Sequence, residues 1–298
     1  MAALLRSAGR HLGEAGSESG RLDAELILGH ILGVSRVTLL GAPEASLSAG
    51  QQAAFETLVE RRVQGEPVAY IRGIKEFYGL ALAVDPRALI PRPETELLVD
   101  LGLARIGQLL TSVPRAEDAK PLVVWDVGTG SGAIAVALAV ECRRRRYTDE
   151  VRLRATDASA EALGLATENA VAHGVADMID FARADLTALP NAGAADLIVA
   201  NLPYIPSAAM LSLPAAAHFE PPSALEGGPD GLALVRRLLA ELPAALGSHG
   251  TALLEIGHDQ ADAVGEAAAV ALPGWPIEVH VDLGGHPRVV QIERAGTP

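Results

Sequence analysis

Two short stretches carry residue types whose spacing could do chemistry. Asn201-Leu202-Pro203-Tyr204 follows the apolar run at 196–200, which reads as a strand, so the four residues stand at a strand end. A conjugated –NH₂, in an amide or an adenine, is a poor nucleophile because its lone pair is delocalised. A protein activates it by accepting both N–H bonds, so that the lone pair points at a methyl donor, and by excluding water. Asn201 offers a side-chain carbonyl, Leu202 a backbone carbonyl, Pro203 a fixed bend and Tyr204 a face for stacking. That chemistry needs no metal, nucleophilic serine or titrating base. Taken alone, Asn-x-Pro is also an ordinary turn.

The second stretch, Asp126-Val127-Gly128-Thr129-Gly130-Ser131-Gly132, lies between an apolar, β-rich run and an apolar run of helix formers. A strand enters a tight turn and leaves as a helix. The glycines allow the sharp turn and the close approach of a ligand, and the amides opening the helix are free to bind polar groups. The spacing is not the dinucleotide fingerprint. Asp126 would repel a pyrophosphate and attract a ligand carrying an ammonium and a sulfonium. S-adenosylmethionine is such a ligand, although the turn alone fits any α/β protein.

The elements that must position these groups follow from periodicity. A second strand at 151–157 ends in Asp157, where an acid can take both hydroxyls of a ribose. Asp157 could instead cap the helix from Ala160, a role Ser159 could also fill. A third strand near 179–182 leads to Asp185 and Leu186, a carboxylate for an adenine amino group and an apolar side chain for its ring. The fourth strand delivers Asn201. A fifth at 251–256, a helix near 260–271 and a hairpin around Gly284-Gly285 bring the count to seven strands. Their carboxyl ends gather Asp126, Asp157, Asp185 and Asn201, and that edge of an open α/β sheet is where ligands bind.

Upstream, residues 1–70 show apolar residues at three and four, broken at Gly13–Gly20, 33–35 and 41–43, a bundle of about four or five short helices. From Glu76 the period changes. Phe77, Leu80, Leu82 and Val84, then Asp85-Pro86-Arg87 and Leu89-Ile90-Pro91, suggest two short strands around a turn that link two domains. Pro91-Arg92-Pro93-Glu94-Thr95-Glu96 then opens a helix.

The chain has 298 residues, 49% hydrophobic, enough for one large or two smaller domains. A net charge of −13 and 3% aromatics disfavour nucleic acid as the main partner. Arg143–Arg146 close a helix, where a basic run complements the dipole and faces solvent. A single cysteine, Cys142, forms no intramolecular disulfide and suits a reducing compartment. The first residues are too polar for a signal peptide and no apolar run approaches the ~20 residues of a membrane span. The expectation is a soluble, cytoplasmic protein.

Further segments carry a resemblance. Tyr70-Ile71-x-Gly73-x-x-Glu76-Phe77-Tyr78-Gly79, Ile90 to Glu96, Phe219-Glu220-Pro221, Ala224-Leu225-Glu226-Gly227-Gly228-Pro229-Asp230-Gly231-Leu232 and Glu255-Ile256-Gly257, with the two stretches above, resemble the bacterial peptide chain release factor N5-glutamine methyltransferases. The similarity runs from about residue 20 to the end. It implies a seven-stranded Rossmann-like methyltransferase sheet at 92–298, a small all-α substrate-recognition domain at 1–72 and a β-hairpin linker at 73–91. The implied reaction moves a methyl group from S-adenosylmethionine to the glutamine amide of the Gly-Gly-Gln loop of class 1 release factors. Carried over by position, Asp126 and Gly128, Thr129, Gly130, Ser131 and Gly132 hold the cofactor's methionine part, Asp157 its ribose, and Asp185 and Leu186 its adenine. Asn201, Leu202, Pro203 and Tyr204 hold the amide beside the cofactor, Arg92, Pro93 and Glu94 wall the pocket, and no metal is involved.

The family's usual second residue at the Asn201 motif is proline, and this chain has Leu202. Leucine keeps the carbonyl but loosens the backbone. Asn-Leu-Pro-Tyr also resembles the ribosomal-RNA adenine dimethyltransferases, so an N6-adenine methyltransferase acting on RNA or DNA is the alternative. It would need a basic surface to receive a flipped base. A catalytically idle scaffold is a third reading, opposed by the complete set of polar site positions.

Overall fold

The computed structural model describes residues 1–42, 44–112 and 120–294. The chain forms two compact units, residues 1–75 with 213–219 and residues 76–212 with 220–298. Residues 113–119 and 295–298 of the expected 92–298 domain lie outside the described residues.

The first unit carries α1 (Ala2–Glu14), α2 (Gly20–Leu32), α3 (Arg36–Gly41), α4 (Ala49–Val63) and α5 (Val68–Arg72). Their ends obey local chemistry. Ser35 accepts from the Thr38 amide, Ser48 and Gln51 form a reciprocal capping box, and Gly33 closes α2 in the left-handed region. Leu5, Leu12, Ile27, Leu28, Phe55 and Val59 make the core. A side chain on Gly20 would come within 2.6 Å of the Gly9 carbonyl oxygen, so a glycine is what lets α1 and α2 meet this closely. Asp23 is buried there and accepts from the Ser17 and Ser19 hydroxyls at 2.8 and 2.7 Å and from the Arg62 guanidinium at 2.8 Å.

Next in the chain, β1 (Ile74–Phe77) and β2 (Leu80–Ala83) form a two-stranded hairpin. Here the sequence reading needs correction: the turn falls at Tyr78-Gly79, and residues 89–91 are irregular rather than a strand. Tyr78 and Gly79 have φ of 50° and 70°, the two-residue hairpin geometry usually signalled by Asn-Gly. Tyrosine at the first position hides that signal. Phe77, Leu80 and Leu82 pack into the same core as Leu98, Leu138 and Leu153, and Asn169 bonds both the amide and the carbonyl of Ala83 at 2.7 and 3.0 Å.

The second unit continues with α6 (Glu96–Ser112), β3 (Leu122–Val127), α7 (Ala133–Arg144), β4 (Val151–Asp157), α8 (Ala160–Ala172), β5 (Ile179–Arg183), β6 (Ala195–Ala200), α9 (Ala233–Ala245), β7 (Leu246–Glu255), α10 (Ala261–Ala271), β8 (Ile277–Val281) and β9 (Pro287–Glu293). The seven-stranded sheet has the order β5-β4-β3-β6-β7-β9-β8, as expected for a Rossmann-like methyltransferase sheet. The β7–β9 and β9–β8 pairs are antiparallel and the other pairs of the sheet are parallel. Successive residues of β6 serve opposite faces: Leu197 and Val199 pack with Leu98 and Leu138, Ile198 and Ala200 with Trp125 and Leu238. A strand buried on both sides reads as an unbroken apolar run, which is why it is visible in the sequence. Register aligns Asp126 with Ala155 and Val199, and Ala200 with Leu254. The ends of β3, β4, β6 and β7 therefore share one edge, and the connections reverse direction beside β3.

Candidate active site

A cavity of about 290 Å³ opens at that edge. Its wall is drawn from the ends of four strands: Gly128 to Ser131 after β3, Asp157 to Ser159 after β4, Ala184 to Leu186 after β5 and Asn201 to Pro203 after β6. The stretch at 86–92 and Thr95 close one side, with Pro221, Ser223 and Ala224 beside them. Every one of these residues belongs to the second unit.

The glycine turn is more self-satisfied than its sequence suggests. Gly128 and Thr129 donate to the Thr156 carbonyl at 2.8 and 2.9 Å, Gly132 donates to the Thr129 carbonyl at 2.9 Å, and Gly130 donates to the Asp157 carboxylate at 2.9 Å. Of the amides that open α7, that of Ala135 donates to the Asp126 carboxylate at 3.2 Å. The second Asp157 oxygen takes the Ser159 amide at 2.8 Å, and Ser159 rather than Asp157 caps α8. Carboxylate oxygens have spare lone pairs, so Asp157 retains acceptor capacity on the cavity wall.

The three glycines of the turn all have positive φ, but their surroundings differ. A side chain on Gly132 would press on Ala166 of α8 at 2.9 Å, so this glycine serves packing and does not line the cavity. A side chain on Gly128 would meet the Leu202 side chain at 2.9 Å. At Gly130 nothing lies within 4 Å of the added carbon, so here the backbone borders open space.

Asp126 is also off the cavity wall. It is buried beneath the turn, where one carboxylate oxygen accepts from the Thr129 hydroxyl at 2.7 Å and the Ala135 amide at 3.2 Å, while Oδ1 has no partner among the described residues. Burial pushes its pKa up to about 7 against those two hydrogen bonds.

Asp185 and Leu186 both line the cavity. Asp185 is exposed and paired with Arg237 at 2.8 Å; Leu186 is buried with φ of 53°, a conformation leucine adopts only when its surroundings enforce it. Arg92 lines the cavity, whereas Pro93 and Glu94 are exposed and Thr95, the next residue, takes their place on the wall.

Around Asn201 the loop is clamped. Its Nδ2 donates to the Thr95 hydroxyl at 3.0 Å. Leu202 is 5% exposed and packs with Trp125, Val127 and Leu186, so the side chain anchors a backbone that proline would have stiffened. Tyr204 is not on the cavity wall, and burial raises its pKa. Behind it lies Gly227-Gly228-Pro229-Asp230-Gly231. A side chain on Gly227 would come within 2.6 Å of the Pro203 carbonyl oxygen, and one on Gly231 within 2.2 Å of that of Tyr204. The Gly227 amide donates to the Ile205 carbonyl at 2.8 Å, and Gln260 holds the Tyr204 carbonyl at 3.0 Å.

Two buried acids escaped sequence reasoning as site residues. Glu220 takes the Arg92 guanidinium at 2.5 Å on one oxygen and the Ile90 amide at 2.9 Å on the other, fixing the wall at 90–92. Glu255 ends β7 next to β6, and its pKa is pushed up to about 7 by burial. Their only sequence signal was membership of the Phe-Glu-Pro and Glu-Ile-Gly segments. Arg143, Arg144 and Arg145 meet Asp177 or Glu141, consistent with the solvated helix end expected of them.

Comparison with known proteins identifies the family. Residues 3–73 match the PrmC N-terminal domain and residues 106–217 the methyltransferase small domain. The release factor glutamine methyltransferase of Moorella thermoacetica is 39% identical over 264 residues, covering 89% of this chain and 88% of that protein. The chain belongs to the release factor glutamine methyltransferases. A second such methyltransferase, from Deinococcus radiodurans, is 38% identical over 293 residues and 98% of both proteins. The hMettl16 catalytic domain, solved in complex with MAT2A 3'UTR hairpin 1, has a TM-score of 0.55 at 12% identity over 84% of each chain, a likeness of fold alone. S-adenosylmethionine is the methyl donor of this family. The open space at Gly130 and the cavity-facing Asp157 suit a ligand with a ribose.

Proposed function

We propose that this methyltransferase modifies the side-chain amide nitrogen of the glutamine in the Gly-Gly-Gln loop of class 1 release factors. The observation that carries the reading is that Asn201 and Leu202 open onto the same cavity as the glycine turn, with the Leu202 side chain seated against Gly128. Bound S-adenosylmethionine supplies a sulfonium-activated methyl group. The protein's part is to hold the nucleophile. The Asn201 Oδ1 and the Leu202 carbonyl accept the two amide N–H bonds, which fixes the amide plane and so aims the nitrogen lone pair, perpendicular to that plane, at the methyl donor. Pro203 fixes the bend and Tyr204 backs the loop. Gly128 to Ser131 and Asp157 hold the cofactor's methionine and ribose, Asp185 and Leu186 its adenine, and Arg92, held by Glu220, faces the entering loop.

Residues 1–72 act as the substrate-recognition domain, with the hairpin within 73–91 as the connection and residues 92–298 as the catalytic domain. No helix among the described residues is long and apolar enough to cross a membrane. The enzyme acts in the cytoplasm on translation factors, and nucleic acid is not its substrate.

The test is methyl transfer from labelled S-adenosylmethionine to a purified release factor, its Gln→Ala loop variant and total RNA in parallel. Label on the wild-type factor alone is expected. Label on RNA and none on the factor would move the substrate to adenine and overturn the reading.

A further inference from the structure

Asp185 and Leu186, assigned above to the cofactor's adenine, sit in a turn whose shape their own residue types do not favour. The Ala188 amide donates to the Asp185 carbonyl at 3.1 Å, which closes a four-residue turn with Leu186 at its second position. Leu186 has φ of 53° there, a value that such turns ordinarily give to glycine, asparagine or aspartate. Its side chain is buried on the cavity wall. A leucine in the left-handed region stays there only when its surroundings hold it.

On the core side the restraint is slight. The Thr156 hydroxyl accepts from the Trp125 indole at 2.8 Å and donates to the Leu186 carbonyl at 3.4 Å, a long and weak bond. The stronger hold comes from α9. Glu241, half-buried, accepts from the Thr187 amide at 3.0 Å and from the Thr187 hydroxyl, both on Oε2. Bonds to an ionised acceptor are roughly twice as strong as neutral ones. One helical turn earlier on the same face, Arg237 takes Oδ2 of Asp185 at 2.8 Å. That ion pair is exposed on both sides and contributes little.

We propose that Glu241 is a positioning residue for the purine end of the cofactor: by holding Thr187 it fixes the turn that presents Leu186 to the ring and Asp185 to the amino group. The proposal rests on the reading that Asp185 and Leu186 take the adenine. Released, Leu186 relaxes from its left-handed conformation, and the base loses its apolar support and its acceptor together. The other cofactor-holding segments are braced elsewhere, Gly128 and Thr129 on the Thr156 carbonyl and Gly130 on the Asp157 carboxylate. The loss is therefore selective for the base.

The test is calorimetric binding of S-adenosylhomocysteine and S-inosylhomocysteine to the full chain. The second ligand has a carbonyl in place of the purine amino group, which a site built around an acceptor rejects. Glu241→Ala keeps a good helix former in α9 and removes both bonds to Thr187. Its affinity for S-adenosylhomocysteine is expected to fall about tenfold, and its preference over the inosyl ligand to fall with it. Glu241→Gln, which keeps an acceptor oxygen, should stay within about threefold of wild type. In turnover with a release factor, the change in Glu241→Ala should appear in the KM for S-adenosylmethionine rather than in kcat. Unchanged affinity in Glu241→Ala, equal weakening of both ligands, or a Glu241→Gln as weak as Glu241→Ala would each overturn the proposal. If Glu241→Ala does not fold, Thr187→Val decides: it loses the hydroxyl bond and should show a reduced preference for the adenosyl ligand, and a wild-type preference would refute the hold on this turn. Asp185→Ala is measured alongside. A wild-type preference in that variant would remove the underlying adenine role of Asp185, whereas a lost preference there beside a wild-type-like Glu241→Ala would sink the positioning role alone.

Discussion

Asp126→Asn should change how stability depends on pH. In the folded protein the Asp126 carboxyl is held at about 7 by burial, from an ordinary value of 3.8. Between those values the native state keeps a proton that the unfolded chain has released, so native stability falls as pH rises from about 4 to about 7 and levels off above. A shift of this size, at ~1.4 kcal/mol per unit, amounts to ~4 kcal/mol across the window. The substituted asparagine has no such dependence. It can still accept from the Thr129 hydroxyl and the Ala135 amide, and whatever its unpartnered NH₂ costs is the same at every pH. Urea unfolding of both proteins at several pH values isolates the difference. Glu255, shifted the same way, contributes equally to both and cancels. Asp85, Asp180 and Asp230, held low by hydrogen bonds from Arg87, Arg152 and Arg236, act on the acid side of this window. The variant should gain on the wild type by a few kcal/mol between about pH 5 and about pH 8. An unfolding free-energy gap that stays constant over that range would refute the placement of a buried, proton-holding Asp126.

Three further outcomes are expected. Gly231→Ala, whose added carbon would stand 2.2 Å from the Tyr204 carbonyl oxygen at a φ of +79°, should lower kcat by displacing the Asn201 loop while leaving cofactor affinity by calorimetry near wild type. Leu202→Ala, at a residue 5% exposed, should destabilise the protein by ~2–5 kcal/mol in urea unfolding and reduce kcat with it. Val37, 83% exposed on α3 of the first unit, should raise the KM for the release factor when changed to Asp and leave cofactor affinity unaltered.

Much of the second unit was legible because β3 and β6 are buried on both faces and read as apolar runs, while β4 alternates Val151, Leu153 and Ala155 with Arg152 and Arg154 before it ends in Asp157. The hairpin was misread because Tyr78 occupies a positive-φ turn position that sequence patterns reserve for Asn or Gly. The start of β7 was missed because Gly247 and Gly250 interrupt it beside a register shift in its pairing with β6. Of the expected site, the wall-lining positions were legible by residue type and order, since each follows a strand. Thr95, Glu220 and Glu255 were not. Their contributions come from hydrogen bonds and ion pairs that span more than a hundred residues, as from Asn201 to Thr95 and from Arg92 to Glu220, and local pattern carries no information about such pairs. Asp126 and Gly132 looked like ligand-facing residues because they flank the turn, yet one is an internal brace and the other a packing contact.

These braces explain how a leucine can stand where proline is usual. Proline would restrict the loop through its own ring, a restraint confined to one residue. Leu202 instead restrains the loop through its side chain: the isobutyl group belongs to the core cluster that holds Trp125 and Val127 and lies against the Gly128 backbone, and Gly128 tolerates this only because it has no side chain. The Gly227 and Gly231 backbones press on the Pro203 and Tyr204 carbonyls from the other side. A loop held in this way moves with the glycine turn rather than independently of it. The distance between the group that grips the amide and the turn that borders the donor is then set by side-chain packing. A cavity-forming change at position 202 should consequently impair methyl transfer more than it impairs binding of either substrate.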